Sequence, residues 1–209
     1  MPIFEILGKT PDFWQPLMGF MDEQGNVKTE PQFLRNSRGL GKHFSEAGYA
    51  IVQRPGAKQH IVIDVGGKTV FEFPKNHKPN WCTPPDEHGI FGVTHQVDAE
   101  NEDLWKLEGR DLIFQGETRY HAMRLDGSIV FDACIGSSRD GHYVFSNSSR
   151  MSEKKGLIDH DGQVVVPPIY DAIYLSRTDP YATVLKERQA NVLALDGSQM
   201  FPRSFEIRG

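Results

Sequence analysis

Short apolar runs, each broken by a polar turn that ends in glycine, set the rhythm of this chain. In residues 19–33, GFMDEQGNVKTEPQF, Met21 leads into Asp22-x-x-Gly25, and a β-rich run follows before Pro31 and Phe33. Asp-x-x-Gly is a tight-turn signal with a left-handed glycine, and the flanking residues have a strand's period of two, so the kernel is a predicted β-hairpin. Pro31 is expected to end the pairing, because it offers no amide hydrogen, and Phe33 to fold back over the apolar face.

The pattern recurs. Residues 156–170, GLIDHDGQVVVPPIY, align with residues 19–33 without a gap, pairing Asp22 with Asp159, Gly25 with Gly162, Pro31 with Pro168 and Phe33 with Tyr170. Weaker copies occupy 63–71, 123–131 and 193–202. The turn glycines Gly25, Gly67, Gly127, Gly162 and Gly197 are 42, 60, 35 and 35 residues apart. Periods of that size mark stacked supersecondary units. The fold expected is all-β: an array of about five hairpin repeats, with repeats at 1–74, an irregular acidic insertion at 75–115 and further repeats at 116–209, forming one continuous domain. No window has a long helical period; residues 98–107 and 36–47 are the stretches open to helix or to long loop.

Residues 156–173 resemble the core of the bacterial WG repeat, with Lys155 standing where that family has tryptophan before glycine. Residues 44–52, FSEAGYAIV, are similar to a second element of the family. The resemblance is strong over 156–185, fair over 19–71 and faint at 120–131 and 193–202. It implies a β-rich repeat array with no catalytic motif of its own.

A single hairpin is marginal in water, so stacking has to complete each core. Ile63, Val70, Ile129, Val164, Val166 and Val192 read as core, with Phe33, Tyr170 and Tyr181 covering the boundaries between units. Trp14, Trp81 and Trp105 fall outside the hairpin kernels; they suit end caps, and Trp105 also suits an interface anchor. Whether the array closes, twists open or splits into small sheets is left open by the sequence.

Composition fits this reading, since 38% apolar and 11% aromatic residues can form a core and 20 glycines and 13 prolines punctuate short strands. The N-terminus lacks a signal-peptide pattern and no run of eighteen apolar residues occurs, so a cytoplasmic protein is expected, with Cys82 and Cys134 as reduced thiols. Charge changes the picture more. Residues 86–111 hold eight acids against two bases, so this stretch carries −6 and the rest of the chain about +1. The acidity is either a solvated loop or a docking surface for a basic partner, with Asp98, Glu100, Glu102, Asp103 and Trp105 as the contact residues. It argues against nucleic acid, which needs clustered Lys and Arg.

Candidate chemistry is sparse. His77, Cys82, His88 and His95, with Glu87, lack the close ligand pairs of a zinc site. Asp159-His160-Asp161 is explained by turn chemistry, Tyr120 and His121 by the start of a strand, and residues 136–141, GSSRDG, by a connection between strands. No phosphate loop and no nucleophile elbow is present. The expected catalytic, cofactor and metal sets are therefore empty. The function expected is non-enzymatic protein binding, most concretely a cytoplasmic bacterial immunity protein that neutralises a basic toxin domain. The alternatives are a scaffold for protein interactions and a hydrolase that assembles its site in the fold.

Overall fold

A computed structural model describes residues 3–8, 17–34, 44–80, 84–108, 111–147, 153–176, 178–201 and 205–206. Strand follows strand throughout, and no α-helix occurs among the described residues. The strands are β1 (Ile3–Gly8), β2 (Leu17–Asp22), β3 (Val27–Leu34), β4 (Tyr49–Gln53), β5 (His60–Asp64), β6 (Thr69–Glu72), β7 (His77–Pro79), β8 (Ile90–Gln96), β9 (Trp105–Glu108) and β10 (Asp111–Phe114). They continue as β11 (Thr118–Arg124), β12 (Ile129–Phe131), β13 (Cys134–Arg139), β14 (His142–Ser146), β15 (Lys155–Asp159), β16 (Val164–Tyr170), β17 (Ala172–Leu175), β18 (Tyr181–Lys186), β19 (Gln189–Ala194) and β20 (Phe205–Glu206). Trp14, Trp81, Cys82 and residues 36–43 lie outside the described residues.

All five hairpin kernels close in the same way. Each turn glycine donates its N–H to the carbonyl three residues before it, and that earlier residue donates in turn to the carbonyl just after the glycine, all at 2.9–3.1 Å. The five glycines have φ between +79° and +86°, where an L side chain is strained. In three copies an aspartate begins the turn: Asp22, Asp64 and Asp159 each accept, through Oδ1, from the N–H groups two and four residues on. Asp126 and Asp196 occupy a later turn position and accept from Ser128 and Ser198 instead.

Proline does not end the pairing. In β2–β3 the register runs from Phe20↔Thr29 to Met18↔Phe33, and in β15–β16 from Leu157↔Val166 to Lys155↔Tyr170, so two extra residues form a bulge on the return strand each time. Pro31 and Pro168 fall within these bulges, where no ladder donor is required. Opposite them stand Gly19 and Gly156. A Cβ at Gly19 would lie 2.3 Å from Thr29 O, and one at Gly156 would lie 2.5 Å from Val166 O and 2.6 Å from Phe145 Cε1.

The chain forms two compact units, residues 1–118 with 123–128, and residues 119–122 with 129–209; the division falls within β11. In the first unit the sheets β1-β2-β3 and β4-β5-β6 enclose Met18, Phe20, Phe33, Ala50, Val52, Ile61 and Ile63. The opposite face of β4 and β5 gives Ile51 and Val62 to a second layer with Phe73, Phe91, Val93 and Met123. A sheet covered on both faces explains the unbroken apolar runs Ala50-Ile51-Val52 and Ile61-Val62-Ile63. In the second unit, β13-β14-β15-β16 and β17-β18-β19-β20 enclose Val144, Leu157, Val166, Ile173, Ala182, Val184 and Leu193.

Successive repeats within each unit meet at the turn glycines. Gly67 abuts Thr29 and Gly127 faces Phe71 in the first unit; Gly162 abuts Val130 and Gly197 abuts Val165 in the second. Each contact places a turn three or four residues beyond the previous repeat's own glycine. The apolar residue two places after that glycine is turned outward: Val27, Ile129 and Val164 are 49%, 52% and 51% exposed. Ile129 and Val164 are thus surface rather than core, whereas Ile63 and Val166 are buried and Val70 and Val192 are half-buried.

Candidate functional site

Of the two remaining sheets, the four-stranded one has the order β12-β11-β8-β7. Between β8 and β11 the chain leaves it and returns: Val97 N–H donates to Glu117 O at 3.0 Å, and everything between these residues is an excursion. The stretch 75–115 therefore contains β7 and β8, which belong to a repeat, as well as the excursion itself.

The excursion opens on Asp98, whose carbonyl accepts from Asn101 N–H at 2.9 Å. Asn101 caps a single 3-10 turn, Glu102–Leu104, by accepting from Asp103 N–H. That turn is the only helical element in residues 98–107, because Trp105 begins β9. Strands β9 and β10 pair from Trp105↔Phe114 to Glu108↔Asp111. Trp105 is half-buried: its ring packs against Phe114 at 5.1 Å, its Nε1–H donates to Ala99 O at 2.9 Å, and Lys78 Nζ stands 5.6 Å from its centre. It ties the excursion to its own root.

Glu100 is a second tie. Asn76 Nδ2 donates to its carboxylate at 2.7 Å and Lys75 Nζ lies 3.1 Å away, both from the segment leading into β7. The Asn76 hydrogen bond first, with help from Lys75, holds the Glu100 carboxyl down to about 2. Asp98, Glu102, Asp103 and Glu108 are exposed, and no ion pair engages them among the described residues. Beside them Leu107, on the strand face of Trp105, is 71% exposed. The structure thus joins all five sequence-predicted residues in one excursion, and adds Leu107. Its signal was available: Trp105-Lys106-Leu107-Glu108 alternates apolar and polar, and Leu112-Ile113-Phe114 follows after Gly109.

The other candidate groups separate. His88 lies in the Asp86–Gly89 turn, whereas His77 and His95 stack face to face on β7 and β8 at 4.2 Å. Asp159, His160 and Asp161 make a repeat turn. His121 is buried on β11, its Nδ1 2.8 Å from Asp132 Oδ1. Ser137 and Ser138 belong to strand β13 rather than to a connection, and Cys134 is buried at the start of that strand. Among the described residues no three His, Cys, Asp or Glu side chains are arranged to hold a metal, and no helix is long and apolar enough to cross a membrane.

Residues 156–187, which include the Gly156 hairpin and its bulge, match the family model of the WG containing repeat. The chain carries a WG repeat over these residues. In its matched WG repeat the glycine of the naming pair is Gly156, and the backbone of the bulge leaves no room there for a side chain; Lys155 replaces the tryptophan. No curated protein matches the chain significantly. Among solved structures it is similar to a protein of unknown function from Bacteroides caccae, with 13% identity and a TM-score of 0.37 over 99% of this chain and 73% of that one. It is also similar to a structure described as the eukaryotic initiation factor, with 12% identity and a TM-score of 0.41 over 96% of this chain and 62% of that one, under two thirds of its length.

Proposed function

We propose that this WG repeat-containing protein is a non-enzymatic binding protein, most concretely a bacterial immunity protein that neutralises a basic toxin domain in the cytoplasm. The observation that supports the reading is the excursion at 98–116, which carries exposed Asp98, Glu102, Asp103 and Glu108 beside exposed Leu107. A focused negative field speeds encounter with a basic surface and disfavours acidic ones. Enzymes that act on nucleic acid present clustered Lys and Arg, which is the surface this field selects. In this reading the exposed acids meet the partner's bases and Leu107 fills an apolar recess between them, while Glu100 and Trp105 keep the excursion in shape.

The test is co-purification of the tagged protein from its own cells, with the wash salt raised in steps. A single stoichiometric basic protein, released by salt, is the expected result. A partner indifferent to salt would favour the scaffold reading, and a retained small molecule would favour an enzyme.

A further inference from the structure

Each repeat seats the turn of the next. The receiving positions, Thr29, Phe71, Val130 and Val165, lie three or four residues after the receiving repeat's own glycine, and all four are buried or half-buried. A Cβ added at Gly67, Gly162 or Gly197 would stand 2.5, 2.6 or 2.8 Å from Thr29 Oγ1, Val130 O or Val165 O, so these seats admit only a bare turn. Two halves of the same contact are left over. In the first unit, Gly25 is exposed, and a Cβ there would have nothing within 4 Å among the described residues. In the second unit, the positions three and four residues after Gly197 are Met200 and Phe201, which are 50% and 45% exposed.

The sheet that carries this last seat is apolar on both faces. Ile173, Ala182, Val184 and Leu193 point into the core shared with β13-β14-β15-β16. Strand alternation therefore turns Tyr174, Leu185 and Val192 to the other face, and Phe205 joins them through its register opposite Ala190. Tyr174 and Phe205 are exposed there, and Leu185 and Val192 are half-buried. The seat adjoins this face: Met200 N–H donates to Val192 O at 3.0 Å, and the Phe201 and Phe205 rings meet edge-on at 6.0 Å. A joined apolar patch of this kind marks a contact surface. In the first unit the corresponding second face of β4-β5-β6 is covered by the next layer, through Ile51 and Val62.

We infer that the last sheet receives a second copy of this chain: the turn at residues 22–25 of one copy sits on Met200 and Phe201 of another, so the stacking that joins repeats also joins chains. The occupant follows from the recurrence, because four seats in the chain take a glycine turn of this type and Gly25 heads the one such turn left without a seat among the described residues. The contact is heterologous, so it propagates from copy to copy unless its rotation closes a ring. It rests on the repeat contact and not on the acidic excursion, and its apolar character keeps it intact at salt concentrations that release a basic partner.

Sedimentation equilibrium of the full chain, with no other protein present, tests this with two variants. Asparagine tolerates positive φ and meets nothing at position 25 within a single chain, so Gly25→Asn is expected to fold, yet its side chain collides with the seat when the turn docks. Phe201→Glu places a charge on the seat itself. The wild-type mass is expected to rise with concentration beyond that of one chain, and each variant alone to remain a single chain. An equimolar mixture of the variants is expected to reach two chains and stop, because one retains its seat and the other its turn. Should Phe201→Glu lose its strand signal in circular dichroism, Met200→Glu takes its place. A wild-type mass of one chain up to about 1 mM, association unchanged by Gly25→Asn, or a mixture that stays at one chain would overturn the inference.

Discussion

Gly156 shows how one residue fixes a repeat. Its missing Cβ lets the bulge at Pro167 and Pro168 close against β15, so Gly156→Ala has to push back a carbonyl and the Phe145 ring. We expect overpacking to cost about 1–3 kcal/mol in chemical denaturation. Gly136→Ala, where the nearest atom is 3.7 Å away, serves as the control and is expected to change stability by less than about 0.5 kcal/mol. Asp22 makes a second prediction at this scale. Hydrogen bonding from Asn26, with Lys28 3.0 Å away, lowers its carboxyl from 3.8 to about 2. Because the folded value is the lower one, Asp22 contributes stability above 3.8 that is lost as pH falls towards 2. Asp22→Asn should therefore lower stability near neutral pH and flatten its fall over that acid range, as read from unfolding midpoints. The turn glycines were legible in the sequence because φ near +80° leaves few other residues acceptable. The outward orientation of Ile129 and Val164 was not, since alternation says which residues share a face but not which face is covered.

At the scale of elements, the excursion behaves as an appendage of the β8–β11 connection. Val97 and Glu117 are hydrogen-bonded neighbours, so replacing residues 98–116 with a two-residue turn joins strand ends that already meet. We expect the shortened protein to fold, with the strand content of the repeats kept in circular dichroism; loss of the fold would show that the excursion is structural. A cut of the same length placed at 86–104 would instead remove β8 and with it Phe91 and Val93 of the second layer. Charge made the excursion visible in the sequence, and charge also hid its structure. The acidic count from 86 to 111 merged β8, a repeat strand, with the hairpin β9–β10, although Ile90-Phe91-Gly92-Val93-Thr94 has strand character of its own. The matching leading turns Ser45–Gly48 and Asp86–Gly89 have the same backbone hydrogen-bond pair, which a search for hairpin kernels alone passes over.

On the scale of the whole molecule, each unit is held by layers that no single sheet completes. Removing residues 172–209 would strip Ile173, Ala182, Val184 and Leu193 from Leu157 and Val166. Nearest-neighbour stacking then predicts that the second unit loses its cooperative transition altogether, rather than only the last repeat's share, in thermal unfolding followed by near-ultraviolet dichroism. The array was legible in the sequence at this scale because its turns recur. Its partition into two units was not, because the division falls inside β11, where no composition shift marks it. The proposed role rests on the one departure from the repeat, and its most direct test compares capture by the full chain with capture by the 98–116 replacement at equal folded concentration. A basic partner retained by the full chain, released by salt and absent from the shortened protein is the expected result; equal capture by both would rule out the excursion as the docking element.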